Sequence, residues 1–267
     1  MSSSTETETA TGPPVIELRG VSKQFGAVQA LYDVDLIVNP GEIVALVGDN
    51  GAGKSTLIKS IAGIYPLTDG QILWQGTPVT VRSPAHAAEL GIEVVYQDLA
   101  LADNLDVVEN MFLGRELLTK TFQLDRNEME RRALAVLGQL GVTTIRSVRR
   151  SVAGLSGGQR QSVAVAKAVM WSAQLVILDE PTAALGVAQT KQVLDLVRRL
   201  GEKGLGVILI SHNLHDVFEV ADRIVVLRLG QNVAEFDRRN VTQTKVVEAI
   251  TAGGLSTVPG QNEESLP

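Results

Sequence analysis

Four short apolar runs stand out along the chain: Ile43–Val47, Leu175–Leu178, Gly206–Ile210 and Ile224–Leu227. Each is four or five residues long and has no polar alternation, the pattern of strands buried on both faces. Ile92–Tyr96 reads as a further strand. Helical spacing separates them: Lys54–Ala62, the series Met129, Ala133, Val136, Leu137 and Leu140, then Val163–Met170 and Val193–Leu200. Buried strands alternating with helices predict a mainly parallel sheet covered on both sides. On either side of the first buried run the pattern differs. Val15–Arg19 and Leu36–Val38 alternate before it, and Gln71–Gln75 followed by Gly76 reads as a hairpin after it. The start of the chain is therefore β-rich in a different way from the parallel core.

Residues 1–14 and the end from about Gly253 to Pro267 are Ser-, Thr-, Glu-, Gly- and Pro-rich, with little to bury, and read as disordered tails. The segment 15–252 reads as one domain without internal repeats. The N-terminus has neither a basic region nor an apolar stretch of the secretory kind. No run of eighteen uncharged apolar residues exists to span a bilayer. With 24 Lys and Arg against 30 Asp and Glu, the net charge is −6, which argues against a nucleic-acid partner. The absence of cysteine removes disulfides and thiolate metal sites.

The chemistry gathers at strand ends, where α/β sheets bind ligands. Gly48-Asp49-Asn50-Gly51-Ala52-Gly53-Lys54-Ser55-Thr56 fits G-x-x-x-x-G-K-[ST] and lies between a buried strand and a helix. In such a loop glycines let backbone N–H groups wrap phosphate oxygens, and the helix N-terminus adds positive potential. Lys54 is placed for the β- and γ-phosphates of ATP and Ser55 for Mg2+. The strand at Leu175 ends in Asp179, a second metal-site candidate, and Glu180 follows as a base or orienting group for the attacking water. Both Ser211 and His212 sit just past another strand end.

Leu155-Ser156-Gly157-Gly158-Gln159 narrows the reading. It resembles the signature motif of the ABC ATPases, and the resemblance spans residues 15 to about 240. Physically, Ser156, Gly157, Gly158 and Gln159 make a second helix N-terminus able to face a phosphate. The resemblance implies an α/β P-loop NTPase core with an antiparallel β subdomain and a helical subdomain inserted over about 98–150. Phe25 then resembles the aromatic residue that stacks on adenine. Gln97 matches the glutamine that touches metal or water, and His212 the histidine that contacts the γ-phosphate; His86 and His215 read as structural. Two such chains close head to tail over two ATP molecules, each phosphate loop facing the other chain's Ser156–Gln159.

After Glu180 this chain departs from most of the family, with Ala183 for a serine and Gly186 for an aspartate. That variant resembles the ATPases of bacterial monosaccharide importers. Those often fuse two ATPase halves; this chain carries one, so it is expected to pair with a second copy of itself. The resemblance implies transmembrane permease subunits, indirectly an external sugar-binding protein, and a peripheral position on the cytoplasmic face of the bacterial plasma membrane. An ABC exporter or another small-solute importer is the alternative. A soluble ABC-type ATPase acting on nucleic acid lacks support, having neither coiled coil nor basic extension here. A nonhydrolytic regulator fits poorly with Glu180 and His212 both present.

Overall fold

The computed structural model describes residues 12–252. The tail readings for 1–11 and 253–267 lie outside them. From the N-terminus come β1 (Ile16–Phe25), β2 (Val28–Val38), β3 (Ile43–Val47), α1 (Lys54–Ile61), β4 (Asp69–Trp74) and β5 (Thr77–Val79). Next are α2 (Pro84–Leu90), β6 (Ile92–Val95), α3 (Val107–Phe112), α4 (Arg126–Gln139), α5 (Gly157–Val169) and β7 (Leu175–Asp179). The rest is α6 (Val187–Glu202), β8 (Gly206–Ile210), α7 (Leu214–Val220), β9 (Arg223–Arg228), β10 (Gln231–Asp237) and α8 (Gln243–Ala252).

Two sheets form. One is antiparallel, in the order β2-β1-β4-β5. The other runs β10-β9-β3-β8-β7-β6 and is parallel except for β10, which returns antiparallel along β9. The continuous apolar runs follow from two-sided burial. Val44, Leu46, Ile177, Ile208 and Ile210 face a core shared with the antiparallel sheet and with Leu57 and Ile58 of α1. Their strand neighbours Val176, Leu178, Val207 and Leu209 face a second core built with α3–α6. On β3 and β9, Ala45, Val47, Ile224 and Val226 join α7 and α8 in a third.

Boundaries shift from the expectations in ways that have physical causes. Strand β2 runs from Val28, not Leu36, because its pairing with β1 extends to Phe25↔Val28 past three irregularities that break the side-chain alternation. Segment 98–150 contains only two helices, α3 and α4, both N-capped by aspartate: Asp106 forms a capping box with Glu109, and Asp125 accepts from Glu128. Between them the chain makes an antiparallel bridge, Leu118↔Leu124. Helix α5 does not shift: it starts at Gly157, where the Ser156–Gln159 motif places a helix N-terminus, with Ser156 and Gln159 capping each other reciprocally.

Candidate functional site

Parallel register brings β3, β7 and β8 to a common carboxyl edge: Leu46 pairs with Ile210, and Ile210 with Asp179. The loops leaving that edge enclose a cavity of about 500 Å³. Asn50–Thr56 line one wall, and Gln97, Asp179 and Glu180 line another. Residues more than eighty positions apart in sequence thus meet where the phosphate loop opens.

The loop is shaped by three glycines in a backbone region that side chains disfavour. Gly48, Gly51 and Gly53 all have positive φ. A side chain at Gly53 would meet the Ala30 carbonyl and Leu31 at 2.9 Å. The Lys54 ammonium donates to the carbonyls of Gly48 at 2.6 Å and Asp49 at 3.0 Å, closing the loop on itself. Burial lowers the Lys54 pKa, opposed by the negative charges of Glu180, Asp179 and Asp49. The Asp179 pKa is raised by burial and by Glu180, opposed by Lys54 and Lys59. Two carboxylates and one ammonium are therefore held together in a half-buried pocket, poised for a ligand that brings its own charge.

Glu180 has φ +51, a strained conformation for a residue with a side chain. Its backbone N–H donates to the Ile210 carbonyl, tying it to the β8 end. Its carboxylate lies 2.6 Å from Nδ1 of His212, whose side chain is 74% exposed. Nearby, Thr182 donates to buried Asp216 at 2.6 Å, which pins the segment after Glu180 to α7.

Not every expected residue lines this cavity. Gly48 and Asp49 serve it through their carbonyls, and His212 through Glu180. Phe25 is outside the lining set. Its ring stands edge-on to Tyr65 at 5.0 Å, with the Lys23 ammonium 4.9 Å from its centroid; its cross-strand partner Val28 lines the cavity instead. Ser156, Gly158 and Gln159 are not in it either. Gly157 lines an adjoining cavity of about 430 Å³ with Gln97, Glu180 and Leu185. The glycines also have a packing reason: a side chain at Gly157 would meet Leu185 at 2.8 Å, and one at Gly158 would meet Gln189 at 3.0 Å.

Sequence reasoning missed Val28, Gln29, Ala30, Thr182, Asp216 and Leu229. A Leu-Gly step soon after the Ile224–Leu227 strand pattern was the only available signal for Leu229. Nothing in composition or spacing marks the Thr182–Asp216 pair.

Comparison with known proteins agrees with this geometry. A family model described as ABC transporter matches residues 31–183. The fructose import ATP-binding protein of Rhizobium meliloti is 46% identical over 89% of this chain and 94% of its own. The xylose/arabinose import ATP-binding protein of Sulfolobus acidocaldarius is 45% identical over 91% of this chain and 96% of its own. Among solved structures, a nucleotide-free ATP-binding cassette from an ABC transporter superposes with TM-score 0.77 at 26% identity, covering 88% of this chain and 98% of that one. A dimeric cassette in a post-hydrolysis state, bound to ADP and Pi, gives 0.70 at 26% identity over 85% of this chain and all of that one.

Proposed function

The chain belongs to the ABC transporter family, and we propose that it powers uptake of a sugar, a monosaccharide, as one of two identical ATPase subunits beneath a pair of transmembrane permease subunits. One observation carries the proposal. The phosphate loop, Gln97, Asp179 and Glu180 converge on one cavity, while the capped N-terminus of α5 with Ser156–Gln159 lies outside it. A site split in this way is complete when a second copy supplies that helix end. The dimeric ADP-bound cassette supports the same arrangement by analogy. The sugar class rests on the two import relatives, and the Ala183–Gly186 run points the same way. An external sugar-binding protein delivers the cargo. Among the described residues no helix is long and apolar enough to cross a membrane; by analogy with the import relatives, the permease would hold this subunit at the cytoplasmic face.

The residues present fit a magnesium nucleotide. Ser55, Asp179 and Gln97 offer hard oxygen donors with a single carboxylate, and among the described residues no cluster of three acidic or imidazole groups exists. That donor set suits Mg2+ that arrives with phosphates and keeps several waters. When bound, the ion neutralises charge on the phosphate oxygens. The phosphate-loop N–H groups and Lys54 orient the triphosphate. Glu180 orients the attacking water and accepts its proton as oxygen bonds to the γ-phosphorus and the bond to the β-phosphate oxygen breaks. His212 reaches the γ-phosphate from its tether on Glu180. Phe25 and its neighbours on the β1–β2 hairpin receive the base.

Glu180→Gln keeps the shape of the side chain and removes the base. Light scattering on this variant should show monomers alone and dimers with Mg-ATP. A chain that binds Mg-ATP yet stays monomeric at high concentration would overturn the homodimer and point to a different ATPase partner. Sugar import is tested separately, by sugar uptake in cells carrying the intact transporter with wild-type or Glu180→Gln subunit. Uptake that persists with the variant would sink the import reading.

A further inference from the structure

The cavity wall carries an apolar feature that phosphate and metal chemistry leaves unused. Arg228 and Gln231 pair across the β9–β10 hairpin, so Leu229 and Gly230 form a two-residue turn. Both have positive φ, +48 and +80, as such hairpin turns require. Asn, Asp or Gly is the usual first residue of that turn; leucine is not. The other two-residue hairpin turn of this kind, between β4 and β5, carries Gln75 before Gly76. The turn itself therefore has no need of an apolar side chain.

Backbone bonds fix the turn against the phosphate loop. The Gly230 N–H donates to the Ala52 carbonyl at 2.9 Å, and its carbonyl accepts from the Tyr32 N–H at 2.8 Å. Leu229 is held in place at the cavity, yet its side chain is 78% exposed. Val28, 65% exposed, lines the same cavity from the start of β2. Two large apolar residues thus stand exposed at a pocket otherwise lined mainly by polar groups, glycine and small residues. A nucleotide has one flat, weakly hydrated part that suits them, the base.

We propose that Leu229, with Val28, is an affinity-determining contact for the nucleobase, covering it from the β9–β10 turn. This rests on the reading of the cavity as a nucleotide site and names a residue within it. Strain at Leu229 is retained where it serves binding. Covering about 50 Å² of its side chain corresponds to roughly an eightfold change in affinity.

The test is calorimetric titration of the full chain and two variants with Mg-ADP and with Mg-pyrophosphate, which lacks ribose and base. Leu229→Asn suits the turn and removes the apolar contact. It should weaken Mg-ADP binding about fivefold to tenfold, leave Mg-pyrophosphate unchanged and not lower Tm. Leu229→Met keeps an apolar chain and should stay within about twofold of the original for both ligands. Unchanged Mg-ADP affinity in folded Leu229→Asn would overturn the proposal. So would equal weakening of both ligands, which would mean that the turn supports the phosphate loop only. Failure of the unsubstituted chain to bind either ligand would instead overturn the nucleotide reading itself, and this contact with it.

Discussion

Asn110 is fully buried in α3 and makes four hydrogen bonds to the loop that leads in from Gln97. Its Oδ1 accepts from the Ala102 N–H at 2.7 Å, and its Nδ2 donates to the carbonyls of Ala102, Leu105 and Asp106 at 3.0, 3.3 and 2.9 Å. Replacing it by alanine does not strand all four partners. The Ala102 carbonyl also accepts from the Leu105 N–H, the Leu105 carbonyl from Val152 and the Asp106 carbonyl from the Asn110 backbone. Only the Ala102 N–H loses its partner. One orphaned donor costs about 1–3 kcal/mol, and three weakened acceptors with a small void bring the loss to about 2–4 kcal/mol. That is a large part of a stability of about 5–15 kcal/mol. Asn110→Asp is the sharper probe. Its carboxylate still accepts from Ala102 but turns its second oxygen to three carbonyls. Burial and those dipoles raise its folded pKa above the ordinary value of about 4. The folded state then holds its proton longer than the unfolded state, so stability falls as pH rises from the unfolded through the folded pKa. Urea unfolding followed by circular dichroism at pH 5.5 and 7.5 reads both effects. Asn110→Ala should lose the same amount at either pH, and Asn110→Asp more at 7.5 than at 5.5. An alanine cost below about 1 kcal/mol, or an aspartate variant more stable at 7.5, would refute the bond accounting.

Gly48→Ala should abolish Mg-ATP binding and lower Tm, because φ is +149 and the new methyl would fall inside contact distance of the Leu227 backbone carbonyl, which has no room to move; thermal melting and a nucleotide titration check it. Gly157→Ala should cost less than about 1 kcal/mol of fold stability, since it meets the free end of Leu185, whereas Gly158→Ala presses on Gln189 next to its backbone and should cost about 1–3 kcal/mol; denaturant midpoints compare the two. Asp179→Asn should raise the Tm of the nucleotide-free chain at neutral pH while abolishing Mg2+-dependent ATP hydrolysis. Burial and Glu180 raise the Asp179 pKa, so its ionised form disfavours folding at neutral pH and that penalty lifts as pH falls through the raised pKa.

Elements whose burial is two-sided were the easiest to read. The runs at Ile43, Leu175, Gly206 and Ile224 each became a strand because every residue between their ends packs on one core or another. Strand β10 was not legible: none of its residues is buried, so Gln231–Asp237 has no apolar alternation to detect. Helices α3 and α7 are six and seven residues long, too short to display a 3.6-residue period. The start of α5 was legible from Ser156 and its two glycines, but the packing of those glycines against Leu185 and Gln189 was not.

The candidate site divides along the same line. Its polar residues are legible because phosphate chemistry demands particular residue types at fixed spacing around a strand and a helix. Its positioning is not, because it depends on strands distant in sequence. Glu180 illustrates the difference. Its carboxylate is readable from the end of an apolar strand, but its strained backbone, its bond to Ile210 and its contact with His212 depend on β8 lying beside β7. The same residue begins a short segment that ends against the other motif: Ala183 donates to the Glu180 carbonyl, Leu185 to the Thr182 carbonyl, and Leu185 reaches Gly157. A glycine at 157 lets the Leu185 side chain lie against the α5 start where an added Cβ would push it aside.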